Sequence, residues 1–309
     1  MRSPILSILG PTAAGKSVLG IELAARHAGE VVSCDSTAVY RGFDIGTDKV
    51  PLPAQRGIPH HLIDVVDPTD EYTAARYVRD AVEAIEGIYA RNRRPIIVGG
   101  TGLYYRALVR GLFPGPGADP AMRARLESIA ARRGLAFLHR MLARIDPASA
   151  RRILTGDRKR MIRALEVYFL TGRPLTDHFA ETISPLRAYQ TIAIALAPPM
   201  GLIAERVEKR VDLQFEQGLL AEIRGLLARG VPETARPFGG LVYRQALEHL
   251  HGIRDEPSTR ALIARENRRY ARRQLIWFRK EPNLVWLESS GEHPATLAAA
   301  ETLVASHVA

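Results

Sequence analysis

The segment Gly10–Ser17 constrains this chain most, because it reads GPTAAGKS and fits the pattern G-x-x-x-x-G-K-[ST] without a mismatch. A mostly apolar run, Ile5–Leu9, precedes it and suits a buried strand, whereas Val18–His27 suits a helix. In such a loop the backbone N–H groups point inward at an anion, and the helix N-terminus adds partial positive charge. The segment therefore predicts a bound di- or triphosphate, held by Gly10, Pro11, Thr12, Ala13, Ala14, Gly15, Lys16 and Ser17. Within it, Lys16 is placed for a phosphate oxygen and Ser17 for Mg²⁺.

Length and composition limit the class of protein. At 309 residues the chain is near the size at which a single core stops growing, so one large domain with an insertion, or two domains, is expected. Apolar content of 46% is ordinary for a globular protein, and no apolar run approaches the length of a membrane span. The first residues do not resemble a signal peptide, so we expect a cytoplasmic protein without membrane attachment. The single cysteine, Cys34, excludes an internal disulfide and a cysteine-based zinc cluster.

The charge balance points to a polyanionic partner. The chain has 43 Lys and Arg against 33 Asp and Glu, a net charge of +10, and most of the excess is arginine. A guanidinium pairs with phosphate in a bidentate way and stacks on bases, which favours RNA or DNA as the partner. A basic surface that serves only solubility is the alternative.

Short apolar runs alternate with helical patterns in the first third of the chain. We predict strands over Glu30–Asp35, Leu62–Val65 and Pro95–Thr101, with a helix over Ala74–Arg91 before the last of them. This order predicts an α/β fold, a P-loop NTPase-like parallel sheet with helices on both faces.

In such sheets ligands bind at the carboxyl ends of the strands, so the phosphate loop, Asp35–Thr37 and Gly99–Gly102 are expected to share one crevice. Asp35 there could orient Mg²⁺, accept a proton from a nucleophile, or simply cap a helix that follows it. Gly99 and Gly100 leave room for a ligand, and Thr101 offers a hydroxyl.

A turn-rich connector at 114–117 introduces an arginine-rich helical block. Asp119 and Asp146, each followed by proline, are predicted N-caps, and helices are expected near 120–133, 135–144 and 147–154, with a fourth from Asp157. We therefore predict an all-helical insertion over 119–187 in a core formed by 1–118 and 188–309. The insertion could be a lid over a phosphorylated substrate or a clamp for a polyanion.

The last third returns to strands and helices. We predict a strand over Thr191–Leu196 and a helical stretch over Leu202–Arg229 that is interrupted at Gly218. Arg206, Arg210 and Arg224 on that stretch are candidates to reach the crevice. In 265–280, arginines fall on one side of a helix and Tyr270, Ala271, Trp277 and Phe278 on the other, a pattern that suits a nucleic-acid backbone. A membrane-surface helix would give a similar pattern.

Taken together, the motifs resemble those of the bacterial tRNA dimethylallyltransferases, also called isopentenyl-diphosphate:tRNA transferases, along nearly the whole chain. Besides the phosphate loop, the similar blocks are Ser33–Thr47, Gly99–Tyr104, Arg160 with Arg163–Val167, and Arg272–Arg279. Three positions depart from the family pattern: Ala14 replaces a common serine, Ala38 a common glutamine, and Val242 the glycine usual before Tyr243.

The resemblance implies transfer of a dimethylallyl group from dimethylallyl diphosphate to N6 of adenosine at tRNA position 37, just 3′ of the anticodon. It implies Mg²⁺ as cofactor, the tRNA anticodon stem-loop as partner, and catalytic roles for Asp35, Thr101, Lys16 and Arg224. We also expect a monomer. The tRNA contacts that it implies are Asp35, Ser36, Thr37, Ala38, Thr101, Arg123, Lys159, Arg160, Met161, Ile162, Arg163, Tyr243, Arg244, Arg272, Arg273 and Arg279.

Two other classes of function share parts of this pattern. A small-molecule P-loop kinase would have the same loop, Mg²⁺ and an arginine-rich lid, but it does not predict the basic helix near the C-terminus. A GTPase-like RNA-binding switch ranks last, because the sequence contains neither an Asn-Lys-x-Asp motif nor an Asp-x-x-Gly motif.

Overall fold

The computed structural model describes residues 2–113 and 115–307. The strands are β1 (Ile5–Leu9), β2 (Gly29–Cys34), β3 (His60–His61), β4 (Arg94–Gly99), β5 (Thr191–Leu196) and β6 (Leu284–Leu287). The α-helices are α1 (Lys16–Arg26), α2 (Ala74–Ala90), α3 (Gly102–Arg110), α4 (Pro120–Arg133), α5 (Leu135–Ile145), α6 (Pro147–Arg152), α7 (Arg158–Thr171), α8 (Leu175–Ala180), α9 (Met200–Glu216), α10 (Leu219–Ala228), α11 (Leu241–Leu250), α12 (Glu256–Phe278) and α13 (Pro294–Ala305).

The described strands form one parallel sheet in the order β3-β2-β4-β1-β5-β6. Every residue of β1, β2 and β4 is buried, because helices cover both faces of the sheet. Two apolar clusters, one on each face, make up the core of this unit. The predicted α/β fold class is confirmed.

The register of the central strands places three strand ends side by side. Gly99 at the end of β4 is paired with Leu9 at the end of β1 and with Cys34 at the end of β2. Because the strands are parallel and end level, the phosphate loop, Asp35 and Gly100 follow at the same edge of the sheet. The strand pairing thus brings these three segments together, as the sequence predicted.

One predicted strand is wrong. Leu62–Val65 is not a strand; the residues that pair with β2 are His60 and His61. Leu62 and Asp64 have φ angles of 64° and 55°, in the left-handed region, and a strand cannot continue through that conformation. The other predicted elements are present with small shifts, such as the helix near 147–154, which ends at Arg152.

The structure divides into two compact units, one formed by Arg110–Ser184 and the other by the rest of the described chain. The boundary at Arg110 lies before the predicted one at 119, and Pro114 of the predicted connector lies outside the described residues. In the helical unit, the Asp119 and Asp146 side chains accept hydrogen bonds from the backbone N–H groups of Met122 and Ser149, so both predicted N-caps are present.

A fully buried carboxylate lies in the helical unit. Glu166 on α7 accepts hydrogen bonds from Arg123 Nε at 2.8 Å, Arg163 Nη1 at 2.7 Å and the Asp119 backbone N–H at 2.7 Å. Burial alone would raise the pKa of Glu166, but the hydrogen bonds from Arg123 and Arg163 outweigh it and lower the pKa. The ion group joins α4 to α7 around the apolar core of the unit.

Within the described chain, no helix combines the length and the apolar character needed to cross a bilayer.

We expect Glu166→Gln to lower the free energy of unfolding by about 2 kcal/mol, since two guanidinium groups lose a buried partner charge. Urea unfolding followed by circular dichroism measures this change. Arg160→Ala is the control, because the ion pair of Arg160 with Asp157 is exposed and should be worth no more than about 0.5 kcal/mol. Equal destabilisation by the two variants would contradict the assignment.

Candidate active site

A cavity of about 800 Å³ opens at the carboxyl ends of the strands. The phosphate loop and the segment after β2 form one side of it, and helices α9, α11 and α12 contribute to the other. Predicted site residues among its lining are Thr12, Ala13, Gly15, Lys16, Ser17, Asp35, Ser36, Thr37, Ala38 and Tyr243.

The phosphate loop has the backbone that its sequence pattern predicts. Gly10 has a φ of 138°, and a Cβ there would come 2.6 Å from the Leu196 carbonyl oxygen, so only glycine fits next to β5. Lys16 folds back over the loop and donates to the Pro11 carbonyl oxygen at 2.6 Å. Burial, with the nearby Arg210 cation, lowers the pKa of Lys16 to about 8. Lys16 is therefore a cation that an incoming anion would stabilise.

Asp35 caps the segment after β2, which is a turn and not the helix that the sequence predicted. Its Oδ1 accepts hydrogen bonds from the Thr37 hydroxyl at 2.6 Å, the Thr37 N–H at 2.8 Å and the Ala38 N–H at 3.3 Å, so this oxygen caps the turn. Within the described residues, Oδ2 accepts no hydrogen bond, and the side chain lines the cavity. One oxygen thus fixes the carboxylate while the other is available to a ligand.

Thr101 supports this turn from behind. Its Oγ1 accepts the Ser36 backbone N–H at 3.0 Å and donates to the Ser36 hydroxyl at 3.4 Å. Thr101 is not among the residues that line the cavity. This position suits a residue that holds Asp35–Thr37 in place. It is less suited to direct contact with a nucleobase of the tRNA.

Two of the three candidate arginines on the 202–229 stretch reach the cavity. Arg206 and Arg210 on α9 line it, and Arg210 Nη1 donates to the Thr12 hydroxyl at 2.9 Å and to Asp48 Oδ2 at 3.1 Å. Arg224 is exposed on α10 and is not among the lining residues. The structure therefore brings Arg206 and Arg210, and not Arg224, to the phosphate loop.

Sequence reasoning gave no role to Gln274 on α12. Its Oε1 accepts the Thr12 backbone N–H at 2.8 Å, and its Nε2 donates to the Gly100 carbonyl oxygen at 2.9 Å. One side chain thus joins the turn after β1 to the turn after β4. The block Arg272–Arg279 contains Gln274, but nothing in the sequence indicates which residue of that helix faces the loop.

Sequence reasoning also gave no role to Asp48 or Gln214, which both line the cavity. Asp48 Oδ1 accepts from Gln214 Nε2 at 3.0 Å while its Oδ2 accepts from Arg210. Burial raises the pKa of Asp48 although Arg210 opposes the shift. Asp48 thus accepts from the same Nη1 of Arg210 that donates to Thr12, and Gln214 holds the other oxygen of Asp48.

Tyr243, a predicted tRNA contact, is 2% exposed. Its hydroxyl donates to Glu222 Oε1 at 2.6 Å and accepts the Gly46 N–H at 3.0 Å, while Arg244 beside it is exposed. Val242 is buried in the first turn of α11, so the departure at this position leaves a regular helix start. Tyr243 thus ties the Ser33–Thr47 block to α10 and α11 as well as lining the cavity.

The basic helix near the C-terminus has the two sides that its sequence predicts. Arg272 and Arg273 on α12 and Arg279 directly after it are exposed, whereas Ala271 and Phe278 are buried in the core. The exposed side is available to a polyanion.

The predicted RNA contacts of the helical unit divide into two groups. Lys159 and Arg160 are exposed at the start of α7. Met161 and Ile162 are buried in the apolar core, so their side chains cannot contact RNA, and the prediction fails for them. Arg123 and Arg163 are partly exposed but are tied to Glu166, as described above.

The residues present fit a magnesium ion carried by a diphosphate. No group of three or more His, Cys, Asp or Glu residues in the described part of the chain could hold a metal ion by itself. Mg²⁺ normally keeps several waters and is held by one or two protein oxygens together with substrate phosphates. The exposed Ser17 hydroxyl and the free Asp35 oxygen are donors of that kind.

Comparison with known proteins identifies the family. A family model described as IPP transferase matches residues 38–281, most of the chain. The chain belongs to the IPP transferase family. A member from Solibacter usitatus named tRNA dimethylallyltransferase is 45% identical over 291 residues, 94% of both chains. One of the same name from Methylococcus capsulatus is 46% identical and covers 93% of this chain and 92% of its own.

Solved structures of this family show the same fold. The full-length tRNA isopentenylpyrophosphate transferase from Bacillus halodurans is 34% identical, with a TM-score of 0.74, and the match covers 100% of this chain and 97% of that one. A eukaryotic dimethylallyltransferase whose crystal structures show it acting on tRNA is 27% identical, with a TM-score of 0.80, over 97% of this chain and 78% of that one.

Gln274→Leu should lower the free energy of unfolding by about 2 kcal/mol, because Thr12 N–H and Gly100 C=O both lose a buried partner. We also expect the variant to bind pyrophosphate more weakly, since the loop is then less ordered. Thermal unfolding and titration calorimetry measure the two effects. Arg272→Ala, two residues away on the exposed side of α12, should change neither; wild-type behaviour of Gln274→Leu would refute this role.

Proposed function

We propose that this protein transfers the dimethylallyl group of dimethylallyl diphosphate to N6 of adenosine at tRNA position 37, just 3′ of the anticodon, and releases diphosphate. One observation carries the proposal: a single cavity contains a phosphate loop and, beside it, a carboxylate with one free oxygen. Relatives similar to this chain over nearly its whole length are named for this reaction.

The phosphate loop would bind the diphosphate. When N6 attacks the allylic carbon, the carbon–oxygen bond breaks and negative charge grows on the departing diphosphate oxygens. Loop N–H groups, Lys16 and Arg210 surround the place where those oxygens would lie, so they would stabilise the transition state more than the bound substrate. Arg210 takes this role on geometric grounds; the exposed Arg224 is less suited to it.

Asp35 would accept the proton that leaves N6. An exocyclic amine of adenine is a poor nucleophile, so its deprotonation must accompany attack, and a carboxylate within hydrogen-bond reach suits that step. The Thr37 and Ala38 contacts hold Oδ1, which leaves Oδ2 to accept the proton. Thr101, through Ser36, would keep this turn in register with the loop.

Mg²⁺ is the metal we propose, with Ser17 as its protein ligand beside the diphosphate. When bound, it would neutralise charge on the phosphate oxygens and so make diphosphate a better leaving group.

Exposed basic side chains would bind the RNA. Lys159 and Arg160 on the helical unit would bind the anticodon stem, and Arg272, Arg273 and Arg279 would contact backbone phosphates. The target adenine must leave its stack to reach a cavity of this kind, so the protein has to hold the stem while the base is extruded. We propose that the enzyme acts as a monomer in the cytoplasm, where its tRNA substrate is found.

The reaction is tested by incubating the protein with dimethylallyl diphosphate, Mg²⁺ and an anticodon stem-loop, followed by mass spectrometry of the RNA. We expect a gain of one dimethylallyl unit on the adenosine 3′ of the anticodon. Asp35→Asn should lower turnover by at least about 100-fold, because the amide cannot accept the proton but its oxygen can still cap the turn. RNA binding should stay close to wild type.

A stem-loop with inosine in place of that adenosine lacks the N6 amine and is the negative control. Phosphate transfer from ATP to a small molecule, without modification of the RNA, would replace this proposal by the kinase alternative. Full turnover by Asp35→Asn would remove Asp35 from the role of base.

Arg210 and Arg224 provide a matched pair of variants for the diphosphate site. Arg210→Gln should lower kcat by about 100-fold, because it removes a charge that faces the leaving group. Arg224→Gln should stay within about twofold of the wild type, since the side chain is exposed outside the cavity. Steady-state kinetics with saturating RNA measures both; the reverse order would show that Arg224 reaches the diphosphate in the working enzyme.

A further inference from the structure

The segment between β6 and α13 packs directly on the phosphate loop. The Gly291 N–H donates to the Ala14 carbonyl oxygen at 2.9 Å. The Glu292 carboxylate lies so close to Gly15 that any side chain at Gly15 would overlap both of its oxygens. The Glu292 carboxylate therefore lies beside Gly15, the last residue before α1, in a loop whose sequence predicts anion binding.

Arg206 holds this carboxylate in place. Its Nη1 donates to Glu292 Oε2 at 2.8 Å and to the Ala13 carbonyl oxygen at 3.3 Å, and its Nη2 donates to the Ser290 hydroxyl at 3.2 Å. Burial would raise the pKa of Glu292, but the hydrogen bonds from Arg206, Ser290 and the backbone, together with the Arg206 charge, outweigh it, so the pKa lies below its usual range. Glu292 is thus an anion, and both side chains line the cavity together with Lys16.

The N-terminus of α1 explains why an anion is stabilised there. Gly15 is its N-cap and supplies no capping side chain, and the first turn of α1 contains no acidic residue. The free N–H groups and the helix dipole favour negative charge at this end. Glu292, from the other end of the chain, supplies it.

We propose that Glu292 is a built-in competitor for the diphosphate: it occupies the mouth of the empty phosphate loop, and the substrate displaces it and takes over Arg206 as a ligand. The inference rests on the proposed function, because it assumes that the loop binds a diphosphate. It assigns Arg206 as a further diphosphate-binding residue.

The exchange keeps charge balanced in both states. In the empty loop, Arg206 is paired with Glu292. In the loaded loop, Arg206 pairs with a phosphate oxygen, and Glu292, whose side chain is 40% exposed, turns to solvent. Since an anion must leave before another can bind, the affinity for diphosphate is lower than the loop alone would give.

The sign of one variant's effect tests this proposal. Glu292→Gln keeps the shape of the side chain and an oxygen that can accept from Arg206, but removes the competing charge. Titration calorimetry with inorganic pyrophosphate should show binding about tenfold tighter than in the wild type. If Glu292 serves only as a clamp that orders the loop, the variant should bind pyrophosphate more weakly or equally, and either result overturns the proposal.

Two further variants sharpen the test. Arg206→Gln should weaken pyrophosphate binding about tenfold, and in the double variant the gain from Glu292→Gln should shrink, because the arginine that it frees is absent. Glu288→Gln, an exposed carboxylate on the same segment, is the matched control and should leave binding unchanged. Additive effects of Arg206→Gln and Glu292→Gln would contradict the exchange of partners.

The outcomes also separate this inference from the proposed function. Tighter pyrophosphate binding by Glu292→Gln in a protein that fails to modify RNA would support the exchange and remove the transferase proposal. If the wild-type protein modifies RNA but Glu292→Gln binds pyrophosphate as the wild type does, the transferase proposal stands and the exchange is refuted.

Discussion

The site depends on three parallel strands that end at the same level. Pairing of Gly99 with both Leu9 and Cys34 means that the phosphate loop and Asp35 leave the sheet at the same edge, on either side of Gly100. A shift of one residue in either pairing would move one segment by about 3.3 Å along the strand direction relative to the others, out of hydrogen-bonding reach. Gln274 then fastens two of the three segments with one amide group.

Three cations beside the phosphate loop each donate to a partner within the protein. Lys16 donates to Pro11, Arg206 to Glu292 and Arg210 to Asp48. Like charges packed this closely would repel one another if they were unpaired, and that repulsion contributes to the lowered pKa of Lys16. In the proposed function, binding of a diphosphate would therefore exchange these partners for phosphate oxygens, and the cations would already lie close to the leaving group on which charge develops.

The helical unit uses its arginines in two ways. Arg123 and Arg163 neutralise the buried Glu166 and so belong to the core of the unit, although each keeps part of its side chain at the surface. Lys159 and Arg160 do not contact Glu166, and both are exposed. An arginine-rich sequence thus overstates the surface that is free for RNA, since two of these arginines neutralise a buried carboxylate.

The sequence by itself determined the phosphate loop, the parallel α/β sheet, the helical block and the family, because these follow from local pattern: glycine and lysine spacing, apolar runs and N-caps such as Asp119. It also placed Asp35 and Thr101 at strand ends that share one edge of the sheet, because strands joined by helical crossovers run parallel. It misplaced the strand after β2 and could not separate the buried Met161 and Ile162 from exposed Lys159, because all lie in one helical run. Only the tertiary structure decided which distant side chains meet the loop: Gln274, Arg210 and Glu292 are far from it in sequence, and packing of α9, α12 and the β6–α13 segment brings them there.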